Sequence, residues 1–136
     1  MKLDLSLHIL EKLAKNKIMN IETFFEYCLS KNGVTEHFPF DKDTLVFKVG
    51  GKMFALSSLN QWEKGEPSVN LKCNPERAQE LRDEYESIKP GFHMSKTHWN
   101  TVQINREVSD VLVKELIDHS YELVFKSLSK KIQTSI

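Results

Sequence analysis

The stretch TLVFKVGGKMFALSSL, residues 44–59, decides the fold. Leu45, Phe47 and Val49 alternate with Val46 and Lys48, so an extended segment here has one apolar face. Gly50-Gly51 follows, and glycine readily takes the positive φ values that a two-residue hairpin turn demands. KMFALSSL then returns as a second strand. A hairpin with one apolar face must pack that face on another layer.

Downstream, NQWEKGEP reads as a loop, with Trp62 folding back on the core. SVNLKC alternates again, with Val69, Leu71 and Cys73 on one side and Asn70 and Lys72 on the other. Asn74-Pro75 offers a helix cap and a proline at the first helical position. The helix PERAQELRDEYESI should run to Ile88, with Ala78, Leu81, Tyr85 and Ile88 inward, until Pro90-Gly91 stops it. HWNTVQI is the last strand, with Val102 and Ile104 toward the helices and Trp99, Thr101 and Gln103 away from them. Ser109 caps a final helix, DVLVKELIDHSYELVFKSL, and KSLSKK closes the chain as a basic, frayed tail.

Upstream, VTEHFPFDKD is turn-rich, and Pro39 limits any strand there to a short or edge piece. Asn20 caps IETFFEYCLSKN, whose buried stripe includes Phe24, and Gly33 stands where a helix C-cap belongs. DLSLHILEKLAKNK, residues 4–17, has helical spacing of Leu5, Ile9 and Leu13. The expected organisation is a helical extension over residues 1–18 and a domain over residues 19–136. The fold class is α+β: a two-layer domain with a twisted antiparallel sheet and helices on one face.

Bulk properties agree with a single domain. The 136 residues are 40% hydrophobic and 28% charged, enough apolar material for a core. Nineteen basic residues balance nineteen acidic ones, so nucleic-acid binding would need a local patch, with acids sorted onto another face. Cys28 and Cys73 form no C-x-x-C and read as buried thiols in a reducing compartment. No segment has the apolar length of a membrane span or a signal peptide, so the cytoplasm is the expected location and no membrane partner is expected.

The run KPGFHMSKTHWNTV, residues 89–102, gathers the most chemistry. His93 and His98 straddle a turn, and no cysteine or carboxylate lies between Phe92 and Ile104. They read as hydrogen-bonding groups of the turn and sheet in preference to zinc ligands, and no metal or other cofactor is expected. No nucleophile elbow, P-loop or dinucleotide fingerprint is present, so no catalytic role is assigned. Alternation sends Lys48, Lys72 and Trp99 to the face away from the helices. Lys52 flanks the hairpin turn and Lys96 precedes the last strand. Cations around an exposed indole could pair phosphates and stack a base, so these five residues are the candidate nucleic-acid site. His93, His98 and Asn100 share the run without a defined role.

The motifs MNIETFFEYCLSKNGVTEHFPF, LVFKVGGKMFAL, VNLKCNPERAQELRDEY, PGFHMSKTHWNTV and SYELV together resemble the MmcQ/YjbR family, from about Met19 to the last helix. The family's common form carries Tyr at the position of Phe92 and Asn at that of Ser95. The resemblance implies a fold similar to the frataxin/CyaY type. It also implies the DNA-binding role often assigned to members through a proposed double-wing arrangement. DNA is therefore the expected partner, bound by the open sheet face and hairpin. The alternatives are a protein-interaction module without nucleic-acid affinity, or a binder of metal or small molecules.

Overall fold

The computed structural model describes residues 19–136. The helix expected over residues 4–17 lies outside the described residues. The chain runs α1 (Ile21–Leu29), β1 (Val34–His37), β2 (Thr44–Val49), β3 (Lys52–Ser58), α2 (Leu59–Glu63), β4 (Ser68–Lys72), α3 (Pro75–Glu84), β5 (Ile88–Pro90), β6 (Trp99–Gln103), α4 (Asp110–Ser127) and α5 (Lys130–Ser135). One six-stranded sheet has the order β1-β2-β3-β4-β6-β5 with every pair antiparallel. The helices and the main core lie against one face, which is the expected two-layer α+β arrangement.

The hairpin forms as its sequence dictates. Gly50 and Gly51 sit at φ +57° and +81°, the pair of positive values that a two-residue turn of this hand needs. The register shifts once, so that Phe47 opposes Ala55 while Lys48 opposes Met53. The extra residue, Phe54, makes a bulge, and both Phe54 and Ala55 are buried in the main core. A bulge leaves backbone groups unpaired, and here α4 satisfies them. The Ser120 hydroxyl donates to the Phe54 carbonyl at 2.6 Å and accepts the Lys72 N–H at 2.9 Å. Removing the hydroxyl strands both groups, so Ser120→Ala is expected to lose about 1–3 kcal/mol of stability. A urea titration checks this, and an unchanged midpoint would contradict the bridging role.

An aromatic series ties the layers together. Trp62 packs on Phe24 with ring centroids 5.4 Å apart, Phe24 on Phe47 at 5.9 Å, Phe47 on Phe54 at 6.4 Å, and Phe54 on Tyr121 at 5.5 Å. The Trp62 indole N–H donates to Ser57 Oγ at 2.8 Å, so this tryptophan folds back as its sequence context predicts. The caps at Asn20, Asn74 and Ser109 also form, each accepting a first-turn amide.

Four expectations need correction. The first helix ends at Leu29 with Ser30 as its C-cap, so Gly33, at φ +72°, lies in the turn beyond it. The helix after Asn74 ends at Glu84, and Ile88–Pro90 forms an edge strand against β6. Pro90 is tolerated there because an edge strand has no second neighbour to receive its missing N–H. NQWEKGEP is not all loop, since Leu59–Glu63 forms a short helix capped by Ser58. The C-terminal tail is docked, with Leu128 buried in the core and Lys130–Ser135 helical. A Cβ on Gly50 would stand 2.6 Å from the Leu128 side chain, so the bare turn admits the tail.

Candidate functional site

The face of the sheet turned away from the helices is divided by one loop. Register places Thr35, His37, Val46, Lys48, Met53, Leu56, Asn70, Lys72, Lys89, Trp99, Thr101 and Gln103 on this side. The segment between β5 and β6 folds back across it. Phe92 N–H donates to Thr101 Oγ1 at 2.9 Å, Asn70 Nδ2 donates to the Phe92 carbonyl at 3.0 Å, and the Thr101 hydroxyl donates to Asn70 Oδ1 at 2.5 Å. This closed cycle fixes the loop to the middle of the sheet.

Trp99 lies on the face predicted for it but is only 9% exposed. It packs with Val46 and Leu56, and Met53 and Met94 lean on the cluster. A large ring on a sheet face removes more apolar area from water when a neighbouring loop covers it. The indole is therefore a support for the loop and cannot stack a base, which corrects the expectation.

The four lysines occupy different settings. Lys48 and Lys72 stand on the open face near the hairpin end, and Lys72 opposes Trp99. Lys52 opposes the core residue Val49, so it belongs to the helix side at the tip. The Lys96 ammonium donates to the Gly91 carbonyl at 2.6 Å and closes the loop. These placements correct the expected grouping of Lys52 and Lys96 with the other two.

The remaining residues of the run divide between structure and surface. Asn100 is buried on the helix side, accepts from Arg82 Nε at 2.6 Å and donates to the Ala78 carbonyl at 3.3 Å. Arg82 also donates to the Lys96 and Trp99 carbonyls. One guanidinium thus clips α3 to β6 and to the loop. His98 is exposed, and its carbonyl accepts the Cys73 N–H at 2.8 Å. His93 is exposed at φ +61°, with its ring 4.1 Å from that of Phe92. Among the described residues, no three His, Cys, Asp or Glu side chains converge as a metal site would require.

Beyond the folded-back loop lies a groove of about 760 Å³. Phe92, His93 and Met94 form one wall, Phe40 and Asp41 another, and Asn70, Thr101 and Gln103 line the floor. Phe40 and Phe92 are 64% and 66% exposed. Lys89 and Arg106 reach the same groove, as does Glu66. The amides of Thr44 and then Asp43 hold the Asp41 carboxyl below its ordinary pKa and bind it into the turn. Sequence reasoning missed the groove because it needs Lys89 on a strand. The legible signal was Phe38-Pro39-Phe40, two large apolar residues in a loop where polar ones are usual.

Neither thiol is poised for chemistry. Cys28 is buried, and desolvation pushes its pKa far up. Desolvation also raises Cys73, against the pull of Arg77 and Arg82. Tyr27 is pushed up to about 12 by burial and by its 2.6 Å hydrogen bond to Asp118. Burial lowers the His119 pKa, with Arg77 adding to the effect, and the neutral ring accepts the Asn74 N–H at 3.2 Å. Among the described residues no helix is long and apolar enough to cross a membrane.

Comparison with known proteins places this geometry among relatives. The YjbR family model matches residues 29–123. The uncharacterised protein YbdF of Escherichia coli O157:H7 is 42% identical over 98 residues, covering 72% of this chain and 78% of that protein. The uncharacterised protein YjbR of Escherichia coli strain K12 is 31% identical over 104 residues, covering 76% and 86%. A crystal structure from Deinococcus radiodurans, of family-model domain DUF419, superposes with a TM-score of 0.80 at 36% identity, covering 87% of this chain and 88% of that one. A protein from Pseudomonas syringae gives 0.66 at 29% identity, covering 78% and 99%.

Proposed function

The chain belongs to the YjbR family, and from that premise we propose that it is a binding module holding single-stranded DNA across its open sheet face. The observation that carries this reading is the sorting of charge. Among the described residues, strand positions on the open side carry Lys48, Lys72 and Lys89 and no carboxylate. The helices carry Glu22, Glu26, Glu76, Glu80, Asp83, Glu115 and Glu122, among others. A net charge of zero therefore conceals a basic face, and phosphate responds to the local field. Of the carboxylates near the rim, Asp43 is tied to Ser58 and to the Asn60 amide and Asp41 to its own turn, while the Glu66 side chain has no partner among the described residues.

A single strand fits better than a duplex. The exposed rings of Phe40 and Phe92 replace Trp99 as stacking surfaces, and stacking requires unpaired bases. The hairpin tip offers a single long side chain, Lys52, beside two glycines, too few groups to read a run of base edges in a groove. Fluorescence anisotropy with a labelled oligonucleotide tests the proposal at low and moderate salt. Single-stranded DNA is expected to bind more tightly than duplex. Lys48→Gln and Lys72→Gln are each expected to reduce the salt slope by about 1. No binding of either form at low salt would overturn it. The exposed Phe38, Phe40 and Phe92 favour a protein partner as the second reading, for which salt would matter little.

A further inference from the structure

We infer that the groove beside the folded-back loop is a nucleotide subsite, taking a planar base against Phe92 and Phe40 and its phosphate at Lys89 and Arg106. This deepens the open-face reading and rests on it.

The volume, about 760 Å³, is that of a small-molecule site. Its two aromatic walls come from separate loops and stay in water, where a large apolar ring is unfavourable unless a partner covers it. Phe92 is held there by both of its backbone hydrogen bonds, so its ring is presented by a rigid frame. The next residue, His93, adopts a left-handed conformation that β-carbon sterics disfavour, and its imidazole lies against the Phe92 ring.

The polar groups of the groove fall into two sets. Asn70, Thr101, Ser58 and Ser68 spend their side-chain bonds inside the protein. Lys89, Gln103 and Arg106 have no side-chain hydrogen bond or ion pair among the described residues, and neither has His93, whose ring lies against Phe92. The free set therefore defines the ligand. A primary amide offers a donor and an acceptor, the combination found on a base edge. An ammonium and a guanidinium together suit a phosphate. Glu66 is the groove carboxylate without a side-chain partner among the described residues, and it opposes further negative charge, so one phosphate is favoured over a polyphosphate.

Calorimetric titration with a nucleoside monophosphate, the matching nucleoside and inorganic phosphate tests this, alongside the labelled oligonucleotide. The monophosphate is expected to bind at least about tenfold more tightly than either fragment. Phe92→Ala is expected to weaken it about tenfold, the scale of one lost stacking contact. Lys89→Gln with Arg106→Gln is expected to erase the preference for monophosphate over nucleoside. All three positions are exposed, and a thermal melt confirms that each variant folds. Should Phe92→Ala unfold, the charge variant decides. Monophosphate binding that both variants leave unchanged overturns the subsite. Oligonucleotide binding that survives them, with no monophosphate binding, overturns the subsite and spares the open-face reading. Monophosphate binding without oligonucleotide binding supports the subsite for a free nucleotide and overturns the strand reading. Binding of neither overturns both.

Discussion

Phe47→Ala is expected to cost about 3–5 kcal/mol, a large fraction of the stability of a domain this size. Phe47 is fully buried at the centre of the hairpin and meets three other rings. Phe24 lies 5.9 Å away at an interplanar angle of 76°, and Phe25 lies 5.7 Å away at 64°, both edge-on, with Phe54 beyond at 6.4 Å. Two of those partners come from α1 and one from β3. Truncation therefore removes transfer energy, leaves a cavity and breaks edge-to-face contacts between two layers. Collapse cannot fill the space, because the bulge and its Ser120 clamp fix Phe54. A urea titration should show a lower midpoint with an unchanged slope. A loss below about 1 kcal/mol would mean that the core closes over the gap, against the packing described.

Gly91→Ala is expected to cost about 1–3 kcal/mol and to displace the loop that shapes the groove. The constraint is space. A Cβ at this position would stand 2.7 Å from the Trp99 Cβ, 2.9 Å from the Trp99 carbonyl oxygen and 3.1 Å from the Met94 Cβ. The first two contacts belong to a strand that cannot yield, because the Gly91 N–H donates to that same carbonyl at 2.8 Å. The loop must give instead. Phe92 is the next residue, so its hydrogen bonds to Thr101 and Asn70 should weaken and its ring should move. Denaturation measures the energetic part, and the amide chemical shifts of Phe92 and Thr101 measure the displacement. Shifts unchanged from the parent protein would contradict the tight approach.

The hairpin, its neighbours and the caps were legible because alternation, Gly-Gly and Asn or Ser before a helix are local signals. Membership of the YjbR family was legible in the same way, through the run from Pro90 to Val102. What failed depended on contacts between distant segments. Tyr85 and Ile88 fit a helical stripe, Ile88 fits a strand as well, and only its pairing with β6 decides against the helix. Trp99 was given the correct face and the wrong exposure, because alternation reports direction and says nothing of the loop that covers the ring. Asn100 carried a signal that went unread. It shares the parity of Val102 and Ile104, so an amide there faces the helix layer and needs a partner, which Arg82 supplies. The groove lies at the meeting of the loop after β1, the loop before β4 and the loop after β5, and no single window of sequence contains it.

An NMR titration of the labelled protein with single-stranded DNA tests the central claim most directly. The account predicts shift changes at amides of Lys72, Phe92, Thr101 and Gln103, on the open face and its loop, with the amides along α4 unmoved. Changes concentrated on α3 or α4, or none at low salt, would contradict it.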